Sequence, residues 1–102
     1  MNLITKTLLK QFPTIGKTAH ITPDKIKIIA KFFTPDSFFS WYATEYDSKT
    51  HTFYGYVIGQ QEELGYFDLD ELKSLKGKLG LPVERDLYFE ATLEEVLSKK
   101  KR

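Results

Sequence analysis

Cysteine is absent from this 102-residue chain. That excludes disulfides, a thiol nucleophile, zinc–thiolate sites and iron–sulfur clusters. Histidine occurs only at positions 20 and 51, so a zinc site would need both residues together with distant carboxylates. Proline and glycine are few, at four and six, which excludes collagen-like and low-complexity chains. No stretch approaches the roughly 18 apolar residues of a membrane span. The start, Met1 to Lys6, has no apolar signal-peptide core. The expectation is a soluble, cytoplasmic protein with no membrane partner. Net charge is also nearly absent, at +1, whereas a generic nucleic-acid binder is more often basic overall. The length suits one modest domain and is far short of the roughly 250 residues of a (β/α)₈ barrel.

The small net charge conceals an uneven layout. Residues 1–44 carry six lysines against two acids, a charge of +4. Residues 45–98 carry five basic residues against twelve acids, a charge of −7. The last four, Lys99, Lys100, Lys101 and Arg102, restore +4. The chain therefore reads as one domain over 1–98 followed by a basic tail over 99–102.

Leu3, Ile4, Leu8, Leu9 and Phe12 have helical spacing, and Pro13 stops that run. Residues 25–33 alternate, with Ile26, Ile28, Ala30 and Phe32 on one face and Lys25, Lys27 and Lys31 on the other, which predicts a half-buried strand. A turn over Thr34–Ser37, a strand over 38–46, a loop over 47–50, a strand over 51–58 and a short strand over 64–67 continue a meander. Asp68 to Glu71 opens a helix carrying Leu69, Leu72 and Leu75, and Gly77 and Gly80 end it. An edge strand is expected over 86–89. A T-x-x-E capping box, Thr92 to Glu95, opens the last helix. The fold class is α+β, an antiparallel meander of four to five strands with short helices mainly on one face. Pairing Tyr46 with His51 sets Tyr42 opposite Gly55 and Trp41 opposite Tyr56. Trp41 is then a buried stability residue. Aromatics fall on both faces of this hairpin, so both faces have something to cover.

Several stretches together resemble the family catalogued as domain of unknown function 2958. They are Lys31 to Pro35, Trp41 to Asp47, Phe53 to Gly55, Glu63 to Phe67, Asp70 to Leu72 and Gly80 to Phe89. The resemblance covers most of the chain. It implies a small bacterial protein of the kind carried by phages, plasmids and conjugative elements, and it supplies no activity, cofactor or site.

Three constellations carry candidate chemistry. The first is acidic: Glu45 and Asp47 close one strand, Glu62 and Glu63 precede another, and Glu84, Arg85 and Asp86 lie near the last. If the strand ends converge, such carboxylates could hold a divalent cation or do acid–base work. Alternatively, Arg85 neutralises Glu45, Asp47 or Glu63 as a bidentate clamp. With Tyr42, the residues Glu45, Asp47, Glu63, Glu84, Arg85 and Asp86 form the candidate binding set. The second is the aromatic strip of Trp41, Tyr42, Tyr46, Phe53, Tyr54 and Tyr56, which either stacks nucleobases or fills a core. The third is cationic: Lys25, Lys27 and Lys31, with Lys99 to Arg102, would meet phosphates weakly and without sequence preference. No G-x-S-x-G elbow or phosphate-binding glycine fingerprint occurs. The leading expectation is a non-enzymatic accessory protein acting on an unidentified protein partner, without a cofactor. Nucleic-acid binding and a small metal-dependent enzyme are the alternatives.

Overall fold

The computed structural model describes residues 3–99. Helix α1 (Lys6–Leu9) leads into strands β1 (Ala30–Phe33), β2 (Ser40–Asp47), β3 (Thr52–Ile58) and β4 (Glu62–Asp68). Helix α2 (Leu69–Ser74), strand β5 (Glu84–Arg85) and helix α3 (Leu93–Lys99) follow. The strands form one antiparallel sheet in the order β4-β3-β2-β1-β5. The α+β meander read from the sequence is therefore present, with the fifth strand added beside β1.

Successive strand residues point to opposite faces, and both faces are covered. One carries Ala30, Phe32, Trp41, Ala43, Tyr46 and Phe53, packed with Leu3, Ile4, Phe12, Leu69, Leu72 and Val83. The other carries Tyr42 and Tyr56 with Ile26, Ile28, Leu93 and Val96. The helices lie mainly on the first face, where α1 and α2 pack, and α3 covers the second. Phe53 is the hub of the larger core. Its ring centre lies 5.3 Å from Phe12, 5.5 Å from Phe32, 4.7 Å from Tyr46 and 5.4 Å from Phe67. Such ring pairs add about 0.5–1.5 kcal/mol each beyond area burial.

Hydrogen bonds set the turns. The Thr34 hydroxyl accepts from the Phe39 amide at 3.1 Å, and the Thr34 amide donates to the Phe39 carbonyl at 3.1 Å. Asp47 accepts from the Lys49 amide at 3.0 Å and the Thr50 hydroxyl at 2.8 Å. These bonds hold the Asp47 carboxyl below its ordinary range, the Lys49 amide contributing most. At α3 the capping box is reciprocal: Thr92 accepts from the Glu95 amide at 3.2 Å, and Glu95 accepts from the Thr92 amide at 2.9 Å.

Several boundaries differ from the sequence reading, each for a local reason. The N-terminal helix shrinks to Lys6–Leu9, because Leu3, Ile4 and Phe12 are drawn into the core on either side. The strand expected over 25–33 is broken. Lys27 bridges Thr92 and the Ile28 amide donates to Ala91, and only from Ile29 does the chain join β2. Ile26 and Ile28 thus serve one face, and Ala30 and Phe32 the other. The strand expected over 86–89 is instead Glu84–Arg85, since Asp86 takes the Tyr88 amide at 3.1 Å and turns the chain away. The β2–β3 register also differs. Trp41 faces Val57, Tyr42 faces Tyr56 and Ala43 faces Gly55; beyond a bulge at Thr44, Glu45 faces Tyr54 and Tyr46 faces Phe53. Trp41 is nonetheless buried, 6% exposed.

Candidate functional site

The acidic residues do not converge. Glu63 lies on β4 and Glu84 to Asp86 lie at β5, the two opposite edges of the sheet. Four strand spacings separate them, about 19 Å. Glu45 stands two strands from β5 and four residues along β2 from the Phe32–Trp41 rung opposite Arg85. That is about 10 Å sideways and about 13 Å lengthwise, beyond the reach of an arginine side chain. Arg85 is therefore no clamp. Among the described residues it makes no ion pair, and its buried Nε has no hydrogen-bond partner. No group of three potential metal ligands occurs among the described residues. His51 pairs with Asp70 at 3.2 Å on the surface, where it lines a cleft with Tyr46.

Each carboxylate instead has a local task or faces solvent. Glu45 is 3% exposed. It accepts from the Gly16 amide at 2.9 Å, the Thr18 amide at 2.8 Å and the Thr18 hydroxyl. Gly16 has φ of +91°, a left-handed conformation that glycine adopts without penalty and that turns these amides toward the carboxylate. Asp47 caps its turn, Asp86 caps the following one, and Glu63 and Glu84 are exposed.

The aromatic strip is mostly core. Trp41, Tyr42, Tyr46, Phe53 and Tyr56 are buried, and Tyr54 is half-buried with its ring 5.1 Å from Tyr66. Tyr46 and Tyr56 titrate above the ordinary phenol value, foremost because burial disfavours the anion. Nearby carboxylates add to this, Asp70 leading for Tyr46 and Glu62 for Tyr56.

The lysines separate. Lys25 ends a 3₁₀ turn and Lys27 sits in the Thr92 bridge. Lys31 reaches over the rings of Tyr42 and Phe89, 5.5 and 5.1 Å from their centres. Lys31, Tyr42, Phe89 and Lys99 line one cleft of about 480 Å³. Lys100, Lys101 and Arg102 lie outside the described residues.

A different surface escaped the sequence reading. Phe38 is 59% exposed, and its ring stacks on Phe39 at 5.1 Å, which stacks on Trp41 at 5.9 Å. Leu75, Lys76, Gly77 and Lys78 line the same cleft, about 510 Å³ in volume. The adjoining loop is fixed by Asp36, which accepts from the Leu79 amide at 2.6 Å and the Leu81 amide at 3.2 Å. Gly77 lies directly against that carboxylate, leaving no room for a Cβ. Leu75, Leu79 and Leu81 are all exposed, Leu79 at 82%. The signal that could have found this surface was Leu79 and Leu81, two leucines beyond the helix and beside Gly80.

The family model for a protein of unknown function, DUF2958, matches residues 3–99. The chain belongs to the DUF2958 family. No curated protein and no solved structure matches it. The stretches that carry the resemblance to DUF2958 fall on β1, β2, β3, β4, α2 and the segment around β5. They therefore describe the sheet and its edges.

Proposed function

We propose that the protein is a non-enzymatic accessory protein of a bacterial mobile genetic element that works by binding another protein. The observation that carries this reading is the apolar surface of Phe38, Leu75, Leu79 and Leu81. Phe38 and Leu75 line one cleft, with Leu79 and Leu81 exposed on the adjoining loop, and exposed apolar surface rimmed by polar groups marks interaction sites. Phe38 is mounted on an ordered ring stack, so ordering it on binding costs little entropy, a feature of aromatic interface anchors. Lys76 and Lys78 supply a cationic rim that suits a partner with acidic residues. The mobile-element role is carried by family resemblance alone.

The test is affinity capture from the native host by wild type and by a Phe38→Ser, Leu79→Ser double variant, each with and without nuclease. The expected result is a protein retained by wild type after nuclease and lost by the variant, with Trp41 emission unchanged. Capture that the variant retains would refute the surface.

A second reading, nucleic-acid binding, draws support from Lys31 and Lys99 lining one cleft beside Phe89. Electrophoretic titration of wild type and a form ending at Ser98 tests it. Weak binding that vanishes with the tail and with physiological salt is the expected result.

A further inference from the structure

The two edges of the sheet are unequal. β5 has only two residues, so it offers little to pair with. β4 has seven, Glu62 to Asp68, in unbroken register with β3 from Ile58↔Glu62 to Thr52↔Asp68. Outside that pairing, residues 63–67 make no other backbone hydrogen bond among the described residues. Proteins usually protect long edges with charged side chains, above all lysine, or with proline, a bulge or a covering element; the charges of β4 sit at its ends, Glu62, Glu63 and Asp68, and leave 64–67 uncharged. β4 contains no lysine or proline, and its pairing with β3 carries no bulge. We infer that β4 is a docking edge that takes an extended peptide as a sixth, outer strand.

The side chains define the occupant. On one face of β4, Leu64 and Tyr66 are 45% and 66% exposed and flank a cleft of about 350 Å³ that also includes Ile21 and Pro23. Alternate residues of an added strand would place apolar side chains here. On the other face the exposed Glu63 precedes Gly65, and the intervening positions of the peptide would meet that carboxylate. β4 holds no base, and its acid on this face is Glu63, while Leu64 and Tyr66 fill the middle of the other face, so the occupant is a peptide alternating apolar and basic residues. A second copy of this chain fits poorly. Antiparallel self-pairing about Gly65 would set Glu62 of one copy opposite Asp68 of the other at both ends, and like charges directly opposite are destabilising. This surface is separate from the Phe38 surface, so either can fail while the other stands.

The test uses the full chain and synthetic heptapeptides alternating lysine with valine, alternating glutamate with valine, and the lysine peptide with alternate amides N-methylated. Calorimetric titration at physiological salt is expected to show the lysine peptide binding about ten-fold more tightly than the glutamate peptide. N-methylation is expected to abolish binding, because the docking is through backbone. Amide hydrogen exchange at residues 63–67 should slow on binding. Glu63→Lys, at an exposed position, should weaken the lysine peptide and strengthen the glutamate one. Absence of binding by the lysine peptide, equal affinity for both charges, unchanged exchange at 63–67, or a concentration-dependent dimer protecting β4 would each overturn the inference.

Discussion

Gly55 and Gly65 face each other across β3 and β4, yet the same substitution should act oppositely at the two. A Cβ on Gly55 would lie 1.9 Å from the Tyr42 carbonyl oxygen, 2.9 Å from its carbon and 3.1 Å from the Ala43 Cα. All three are backbone atoms of β2, so no rotamer change relieves the contact. A carbon–oxygen contact settles near 3.3 Å, which requires β2 to retreat by about 1.4 Å. β2 cannot do so alone, because Tyr42 packs into one core and Ala43 into the other. Overpacking costs about 1–3 kcal/mol and occasionally more, and a clash with the backbone of a central strand packed on both faces belongs at the upper end. For Gly55→Ala we expect a loss of about 3 kcal/mol, or about 12–24 °C in Tm for a domain of this size. At Gly65 nothing lies within 4 Å of the added Cβ, and its φ is not positive. Gly65→Ala removes freedom from the unfolded chain and should stabilise by about 0.4–1 kcal/mol. Urea unfolding followed by the emission of Trp41, the sole tryptophan, measures both variants. The reasoning is refuted if Gly55→Ala falls within about 1 kcal/mol of wild type, or if Gly65→Ala is as damaging as Gly55→Ala.

Trp41→Ala should cost about 3–5 kcal/mol by emptying a core site, with thermal unfolding as the check; a variant that melts like wild type would sink this. Glu45→Ala should cost about 1–3 kcal/mol by leaving the Gly16 and Thr18 amides without their acceptor. Hydrogen exchange at those two amides should then quicken, while Glu45→Gln, which keeps an acceptor oxygen, should lose less. The raised phenols predict alkaline sensitivity. A folded-state pKa above the unfolded value of 10.0 favours the neutral phenol, so the stability that Tyr46 and Tyr56 contribute is complete below pH 10.0 and is lost as pH rises through their folded values. Tyr46→Phe and Tyr56→Phe should therefore move the alkaline unfolding midpoint upward in ultraviolet absorbance titrations; an unmoved midpoint in both counts against it.

The meander and its helices were legible because their signals are local. Alternating residues, Thr34-Pro35 and Asp47 at turns, and the Thr92–Glu95 box each act within a few positions. The register was not legible. Alternation fixes register when one face is buried and the other wet, but rings occupy both faces of β2 and β3, so a one-residue slip still yields two apolar faces. The bulge at Thr44 leaves no mark in residue type. The acidic constellation failed for a topological reason: β5 joins β1, the far side of the sheet from β4, and no local pattern records which edge receives a late strand. The Phe38 surface escaped because the placing of the 79–81 loop at Asp36 depends on hydrogen bonds from residues 43 and 45 positions away.

The bulge explains why the central carboxylate is structural. Without an extra residue at Thr44, strict alternation would put Glu45 on the face of Trp41 and Ala43, against the Phe53 ring, and would send Tyr46 to the opposite face. With it, Thr44 and Glu45 both line the opposite cleft. There Thr44 donates to the Tyr54 carbonyl at 3.1 Å and Glu45 finds the amides of the 16–18 loop. A buried carboxylate with three donors already aimed at it is compensated. Its oxygens are committed to fixing the N-terminal segment across the sheet, which leaves Glu45 poorly placed to serve a substrate or metal. Both sheet faces are likewise committed to cores. Among the described residues, two peripheral features remain open to a protein partner: the ring stack ending at Phe38, and the backbone of β4. Binding at a stiff edge and a stiff aromatic anchor asks little reorganisation of the protein, so contacts of this kind need no assembled metal site, and none of three or more ligands occurs among the described residues.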